Sequence, residues 1–320
     1  MSEENKLERF DKEVKLLAPW LEEGHFRQYK QLKELFGEHL YKMSELSFSP
    51  LSKSLGIMFK GKDDTYISNL CKFMSEVGIE EEKLVNFKKL NSYFPDTDVL
   101  FKVDFSDTGK IKVSFYHQSL ISPRITASIM RGMNVQPPSI AYFLDVISFL
   151  MRKKSLYVGF NYKPDTNTVL KTFFCNAIEQ SGYSLCPGIA AIMAKLNISS
   201  KLISLFVDFH NYLASEPQRS VFTSVVFTDK IESMVKIDYE GISVDKATEI
   251  YKALKIPSEE IEKLPLLCRE LNTNTISYFS IKYLNESPPV FKCYFTRRYA
   301  LEDDPGQLAE ILGETRWVNQ

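Results

Sequence analysis

Four segments of this chain repeat one local pattern: Lys112-Val-Ser-Phe115, Lys171-Thr-Phe-Phe174, Lys236-Ile-Asp-Tyr239 and Lys292-Cys-Tyr-Phe295. Each is a lysine followed three residues later by an aromatic, and successive lysines stand 59, 65 and 56 residues apart. Each lies in the second half of a strand–turn–strand pattern. Residues 100–105 and 110–116 flank the turn Ser106-Asp-Thr-Gly109, and 156–162 and 169–175 flank Lys163-Pro-Asp-Thr-Asn167. Residues 221–228 precede 234–239, and 276–283 and 290–296 flank Asn285-Glu-Ser-Pro-Pro289. An earlier pair, 45–48 and 54–60 around Pro50, makes five hairpins.

Helical periodicity fills the intervals. Leu7, Phe10, Val14, Leu17 and Leu21 recur at helical spacing, and a second stretch runs over 25–43. Asp64 is placed to cap a helix through Tyr66, Leu70, Phe73 and Val77. Helices are predicted over 123–133 and 139–152, and over 177–213 with breaks near Pro187 and Asn197. Ser243 caps one to about 254, and Pro257 opens another to about 271. No linker or low-complexity stretch divides these units, so the chain reads as one domain over 1–320. Helices occupy 1–44, the repeats 45–300, and a C-terminal helix or tail 301–320.

The class is therefore α+β, with helix–strand–strand–helix repeats. A ten-stranded antiparallel sheet would carry exposed edges unless it closed on itself. A closed barrel of that size is wider than its own side chains fill, so it encloses a cavity.

Alternation along the strands divides the second strand of each hairpin into two faces. One carries Lys112 and Ser114, Lys171 and Phe173, Lys236 and Asp238, and Lys292 and Tyr294. The other carries Val113, Phe115, Thr172, Phe174, Ile237, Tyr239, Cys293 and Phe295. The second face is the more apolar and is expected beneath helices. The lysine face then meets either solvent, as in an open sheet, or the barrel interior. Enclosed ammonium groups require negative charge, so the interior reading implies an anionic ligand.

Composition narrows the partners. A net charge of −1 provides no basic field for nucleic acid. The five cysteines form no CxxC pair, and with four scattered histidines they show no metal-ligand spacing. They read as thiols in a reducing compartment. The N-terminal residues lack a signal-peptide pattern. The most apolar segment, 139–151, is too short to span a bilayer and contains Asp145. A cytoplasmic protein, a monomer or weak dimer, without membrane or nucleic-acid partners, is the expectation.

The order and spacing of these segments resemble the soluble bacterial aromatic prenyltransferases of the ABBA type, whose αββα units close into a ten-stranded barrel with an outer ring of helices, the PT barrel. The resemblance covers about residues 45–300. It is carried by 99–117 with Lys112, 157–176 with Asn161-Tyr162-Lys163 and Lys171, 222–239 with Lys236, and 277–299 with Lys292. It implies that Lys112, Lys171, Lys236 and Lys292 bind a prenyl diphosphate, with Lys60 a fifth ligand. An alternative register puts Ser233, rather than Lys236, at the family's basic position.

The implied reaction moves a dimethylallyl or geranyl group to a small aromatic acceptor, an indole alkaloid first and a phenol second, by Friedel–Crafts-type alkylation. Ionising the donor develops negative charge on the leaving diphosphate, which ammonium groups stabilise. The allylic cation needs aromatic faces; inward candidates are Tyr157, Phe173, Phe222, Tyr278 and Tyr294. Asp208, and after it Asp238, are candidate acids for the acceptor N–H or O–H. Asp63-Asp64-Thr-Tyr and Asp303-Asp304-Pro lack the third carboxylate of a DDxxD magnesium motif. The strand 54–59 also lacks the acid of magnesium-requiring relatives, so no metal is expected to be obligatory, with Mg²⁺ at most modulatory. The alternative is a non-catalytic barrel that binds a hydrophobic or phosphorylated small molecule.

Overall fold

The computed structural model describes residues 3–42, 44–49, 53–95, 97–148, 155–162, 169–176, 182–213, 221–227, 231–285 and 287–297. The N-terminal helices are α1 (Glu3–Leu17), α2 (Leu21–Gly24) and α3 (Phe26–Lys42). Strands β1 (Ser44–Ser49) and β2 (Ser54–Gly61) follow, then α4 (Asp64–Glu76), α5 (Glu81–Asn91), β3 (Val99–Ser106) and β4 (Ile111–Ile121). Next come α6 (Pro123–Gly132), α7 (Pro137–Ile147), β5 (Ser155–Tyr162) and β6 (Val169–Asn176). Then come α8 (Gly182–Lys195), α9 (Ser200–Leu213), β7 (Val221–Phe227) and β8 (Ile231–Ser243). The last elements described are α10 (Val244–Ala253), α11 (Ser258–Glu270), β9 (Thr275–Leu284) and β10 (Ser287–Arg297). The expected C-terminal helix or tail, 301–320, lies outside the described residues.

The class is α+β with an antiparallel sheet, as the repeats require. Every strand pairs with its neighbours in sequence, β1 also pairs with β10, and the cycle closes. Gly109 takes φ +78 in the β3–β4 turn, a conformation open to glycine without a Cβ clash.

The apolar core lies between sheet and helices. Leu46, Ile57, Phe101, Val103, Val113, Phe115, Ile237, Tyr239, Phe279, Ile281, Cys293 and Phe295 alternate along their strands and are all buried. Helical aromatics meet them: Phe36 packs on Phe59 with centroids 4.8 Å apart, and Phe87 meets Phe115 edge-on at 4.5 Å. Phe206 and Tyr251 do the same for Tyr283 and Phe279. Such pairs add about 0.5–1.5 kcal/mol each beyond area burial. The face expected beneath helices is the one the helices cover.

Two local expectations need correction. The N-cap of α4 is Asp63, not Asp64: Asp63 is extended and its Oδ1 accepts from Tyr66 N at 2.8 Å. Asp64 enters the first turn instead, where its charge favours the helix dipole. Pro187 lies within α8 and does not end it. The break comes at Asn197, whose φ of +57 no helix accommodates.

His117, on the covered face of β4, is buried and stacks on Phe94 with centroids 4.8 Å apart. Burial pulls its pKa down to about 4. The unfolded chain therefore takes the proton first as pH falls below about 6.5, and native stability drops with it. Unfolding in urea should show about 2 kcal/mol lost from this residue between pH 7 and pH 5. His117→Phe, which keeps a ring on Phe94, should remove that part of the pH dependence.

Candidate active site

The face of the sheet turned away from the helices is polar, and its charges contact one another across the barrel. Lys292 and Tyr294 alternate on β10 with the buried Phe291, Cys293 and Phe295. Lys292 Nζ lies 2.5 Å from Asp104 Oδ1. Asp104 is on β3, and β1 and β2 separate β3 from β10 in the sheet. Only a contact through the enclosed side joins them. Lys102 and Lys112 bring their Nζ atoms to 3.6 and 3.8 Å from the same carboxylate. Burial alone would raise the Asp104 pKa; Lys102, Lys292 and Lys112 outweigh it and hold the carboxyl well below the usual range.

Gly56 makes room for this cluster. It is the register partner of both Ser47 and Asp104, and a Cβ there would collide with the side chains of Ser47, Asp104 and Lys102.

Tyr294 forms the floor on which the ammonium groups meet. Lys102 Nζ lies 4.5 Å from its ring centroid, Lys236 Nζ 4.7 Å and Lys292 Nζ 6.0 Å. Burial pushes the Tyr294 phenol far above its ordinary pKa, against the pull of Lys292. Lys236 Nζ is 2.6 Å from Asp238 Oδ1, and Ser280 donates to the same carboxylate. Lys236 and Lys282 are direct register partners on β8 and β9, an opposition of like charge that costs stability unless negative charge lies near.

Glu45, on β1, is buried and feels the charges of this group. Burial pushes its carboxyl up to about 7, opposed by Lys102, Lys236 and Lys292. Burial likewise pulls Lys102 down, opposed by Asp104 and Glu45. Tyr116 is buried too; its phenol is raised by burial and feels Asp104 and Lys236. These side chains come from β1, β3, β4, β8, β9 and β10.

Of the residues expected at the site, Lys112, Lys236, Lys292 and Tyr294 are brought together, with Tyr278 the register partner of Tyr294. Lys236, rather than Ser233, contacts this group. Lys60, on the same face of β2 as Gly56 by alternation, pairs with Asp98 at 2.9 Å. Asp208 does not join: α9 leaves it exposed on the outside, because Leu202, Phe206 and His210 set the buried phase of that helix. Lys171 is the register partner of Gly159 and Val226, Tyr157 of Phe173, and Phe222 of Asp238. The side chains of Lys171, Tyr157, Phe173 and Phe222 lie outside those described.

Sequence reasoning missed Lys102, Asp104, Glu45, Ser280 and Lys282. A signal for two of them existed. The Ser106–Gly109 turn sets the hairpin register that pairs Asp104 with Lys112 and Lys102 with Ser114. Glu45 had none, since one acid in a short strand reads the same on either face.

Among the described residues, no group of three or more His, Cys, Asp and Glu side chains is placed to hold a metal ion. Cys71, Cys186, Cys268 and Cys293 are free thiols. No described helix is long and apolar enough to cross a membrane.

No family model matches the chain, and no curated protein matches it by sequence. Solved structures do match its fold. The 6-dimethylallyltryptophan synthase of Micromonospora olivasterospora, in complex with DMASPP and Trp, superposes with TM-score 0.66 at 11% identity, covering 93% of this chain and 99% of that one. NotF prenyltransferase gives 0.65 at 14% identity, covering 89% and 93%. The 5-dimethylallyltryptophan synthase of Streptomyces coelicolor gives 0.56 at 8%, covering 88% and 95%. This chain therefore has the fold of the aromatic prenyltransferases.

The role of the Tyr294 ring is separable from that of its hydroxyl. Tyr294→Phe should leave stability close to the parent, while Tyr294→Leu should cost about 1–2 kcal/mol through lost ammonium–ring contacts. Urea unfolding of the two variants checks this. Equal stability would show that the ring stabilises nothing by its π face.

Proposed function

We propose that this chain is an aromatic prenyltransferase that moves a dimethylallyl or geranyl group from its diphosphate to a small aromatic acceptor, an indole first and a phenol second. One observation carries the reading: strands distant in the sheet bring Lys102, Lys112, Lys236 and Lys292 together on the enclosed face, around Tyr294 and Asp104. The fold shared with tryptophan prenyltransferases supports it, and two of those neighbours are described in complex with DMASPP and Trp.

In this reading the ammonium groups take the donor diphosphate, with Lys171 joining them from β6. Held in place before the reaction, they stabilise the negative charge that develops as the allylic C–O bond ionises, without an obligatory metal. Tyr294, Tyr116 and Tyr278 offer aromatic faces to the allylic cation, worth about 0.5–2 kcal/mol each.

Glu45 takes the part expected of Asp208. Its carboxylate accepts a hydrogen bond from the indole N–H or phenol O–H and so feeds electron density into the ring that attacks the cation. The ring proton is lost afterwards, which restores aromaticity.

The test is incubation with dimethylallyl and geranyl diphosphates against a panel of indoles and phenols, with and without EDTA, read by mass spectrometry. A prenyl mass added in EDTA is the expected result. Tight binding of a prenyl thiolodiphosphate without product from any pair would favour the non-catalytic binder instead. Lys292→Ala should weaken the donor and slow ionisation. Glu45→Gln should cost about 10²–10⁴ in rate with indoles. Because burial raises the Glu45 carboxyl, the acid limb of the parent rate profile should lie near pH 7 and vanish in Glu45→Gln.

A further inference from the structure

We infer that Asp104 is the resident counter-anion of the barrel: its carboxylate balances Lys102, Lys112 and Lys292 when no donor is bound, and the donor diphosphate displaces it. The inference rests on the reading that these lysines bind a diphosphate.

Asp104 lies within 4 Å of three ammonium groups, one of them from the far side of β1 and β2. Gly56, directly opposite, leaves the room this carboxylate and the Lys102 stem occupy. Two other acids near these lysines, Asp238 and Glu45, are differently held. Asp238 binds one of these lysines, Lys236, and takes a hydrogen bond from Ser280, which pins it as a structural pair. For Glu45, burial disfavours its charge. Asp104 alone among the three forms ion pairs within 4 Å to several lysines at once.

Two carboxylate oxygens must be shared among three ammonium groups, whereas a diphosphate offers each its own oxygen and carries more charge. The exchange therefore favours the donor. It is not free, because Asp104 stays close by with its charge, and the repulsion weakens the grip on any diphosphate in the site. The same repulsion speeds departure of the diphosphate product after transfer. Asp104 would thus trade ground-state affinity for turnover, a positioning and release role distinct from that of the lysines.

The test uses Asp104→Asn, which keeps the shape and removes the charge, with inorganic pyrophosphate as the probe. Calorimetric titration should show pyrophosphate bound at least 5-fold more tightly than by the parent. Thermal unfolding should show the variant less stable alone, with most of the difference recovered in saturating pyrophosphate. Turnover should become more sensitive to inhibition by added pyrophosphate. A folded variant that binds pyrophosphate equally or more weakly overturns the inference and makes Asp104 a mere organiser of the lysines. If the variant folds only when refolded with pyrophosphate, the inference stands; if it fails even then, it falls. A parent protein that does not bind pyrophosphate overturns the donor-site reading as well, an outcome distinct from a parent that binds and a variant that binds no tighter.

Discussion

An ammonium group shut inside a closed sheet keeps its charge only when negative charge lies within a few ångströms, and the rest of this molecule is arranged around that requirement. Asp104 meets it for Lys102, Lys112 and Lys292, and Asp238 for Lys236. The Tyr294 ring adds an attractive face beneath three of them. Gly56 follows from the same demand, since any larger residue on β2 would occupy the space of the pairing side chains. A chain built this way gathers its lysines on one face before any ligand arrives, and is therefore suited to an incoming anion.

That arrangement depends on an apolar core placed outside the barrel. Phe59, Phe101, Phe115, Tyr239, Phe279 and Phe295 face the helices and are buried there, so stability comes from the sheet–helix layer. The enclosed face is thereby released from packing duty and can carry polar groups. Closure of the sheet gives each described strand a partner on both sides, which leaves side chains to determine the chemistry of the interior.

The site is assembled from residues that local structure keeps apart. Lys292 and Asp104 are 188 residues distant in sequence and not on neighbouring strands, yet they share a proton-bearing contact. Glu45 comes from a six-residue strand that pairs with the last strand as well as with the second. Asp208 shows the converse. The sequence offers it as an acid for the acceptor, but the phase set by Leu202, Phe206 and His210 turns it outward.

The sequence alone determined the repeat of hairpins and helices and the two faces of each strand, because both follow from short-range periodicity and turn chemistry. It singled out Lys112, Lys236, Lys292 and Tyr294, whose alternation with Val113, Ile237, Cys293 and Phe295 is legible in the chain. With the Ser106–Gly109 turn it even held the pairing of Asp104 with Lys112, a register that is local. Tertiary structure decided which face is enclosed and which carboxylates answer the lysines, Asp98 for Lys60 among them. The Lys292–Asp104 contact depends on strands that are neither sequential nor adjacent. No local pattern encodes such contacts, because they exist only once the sheet has closed.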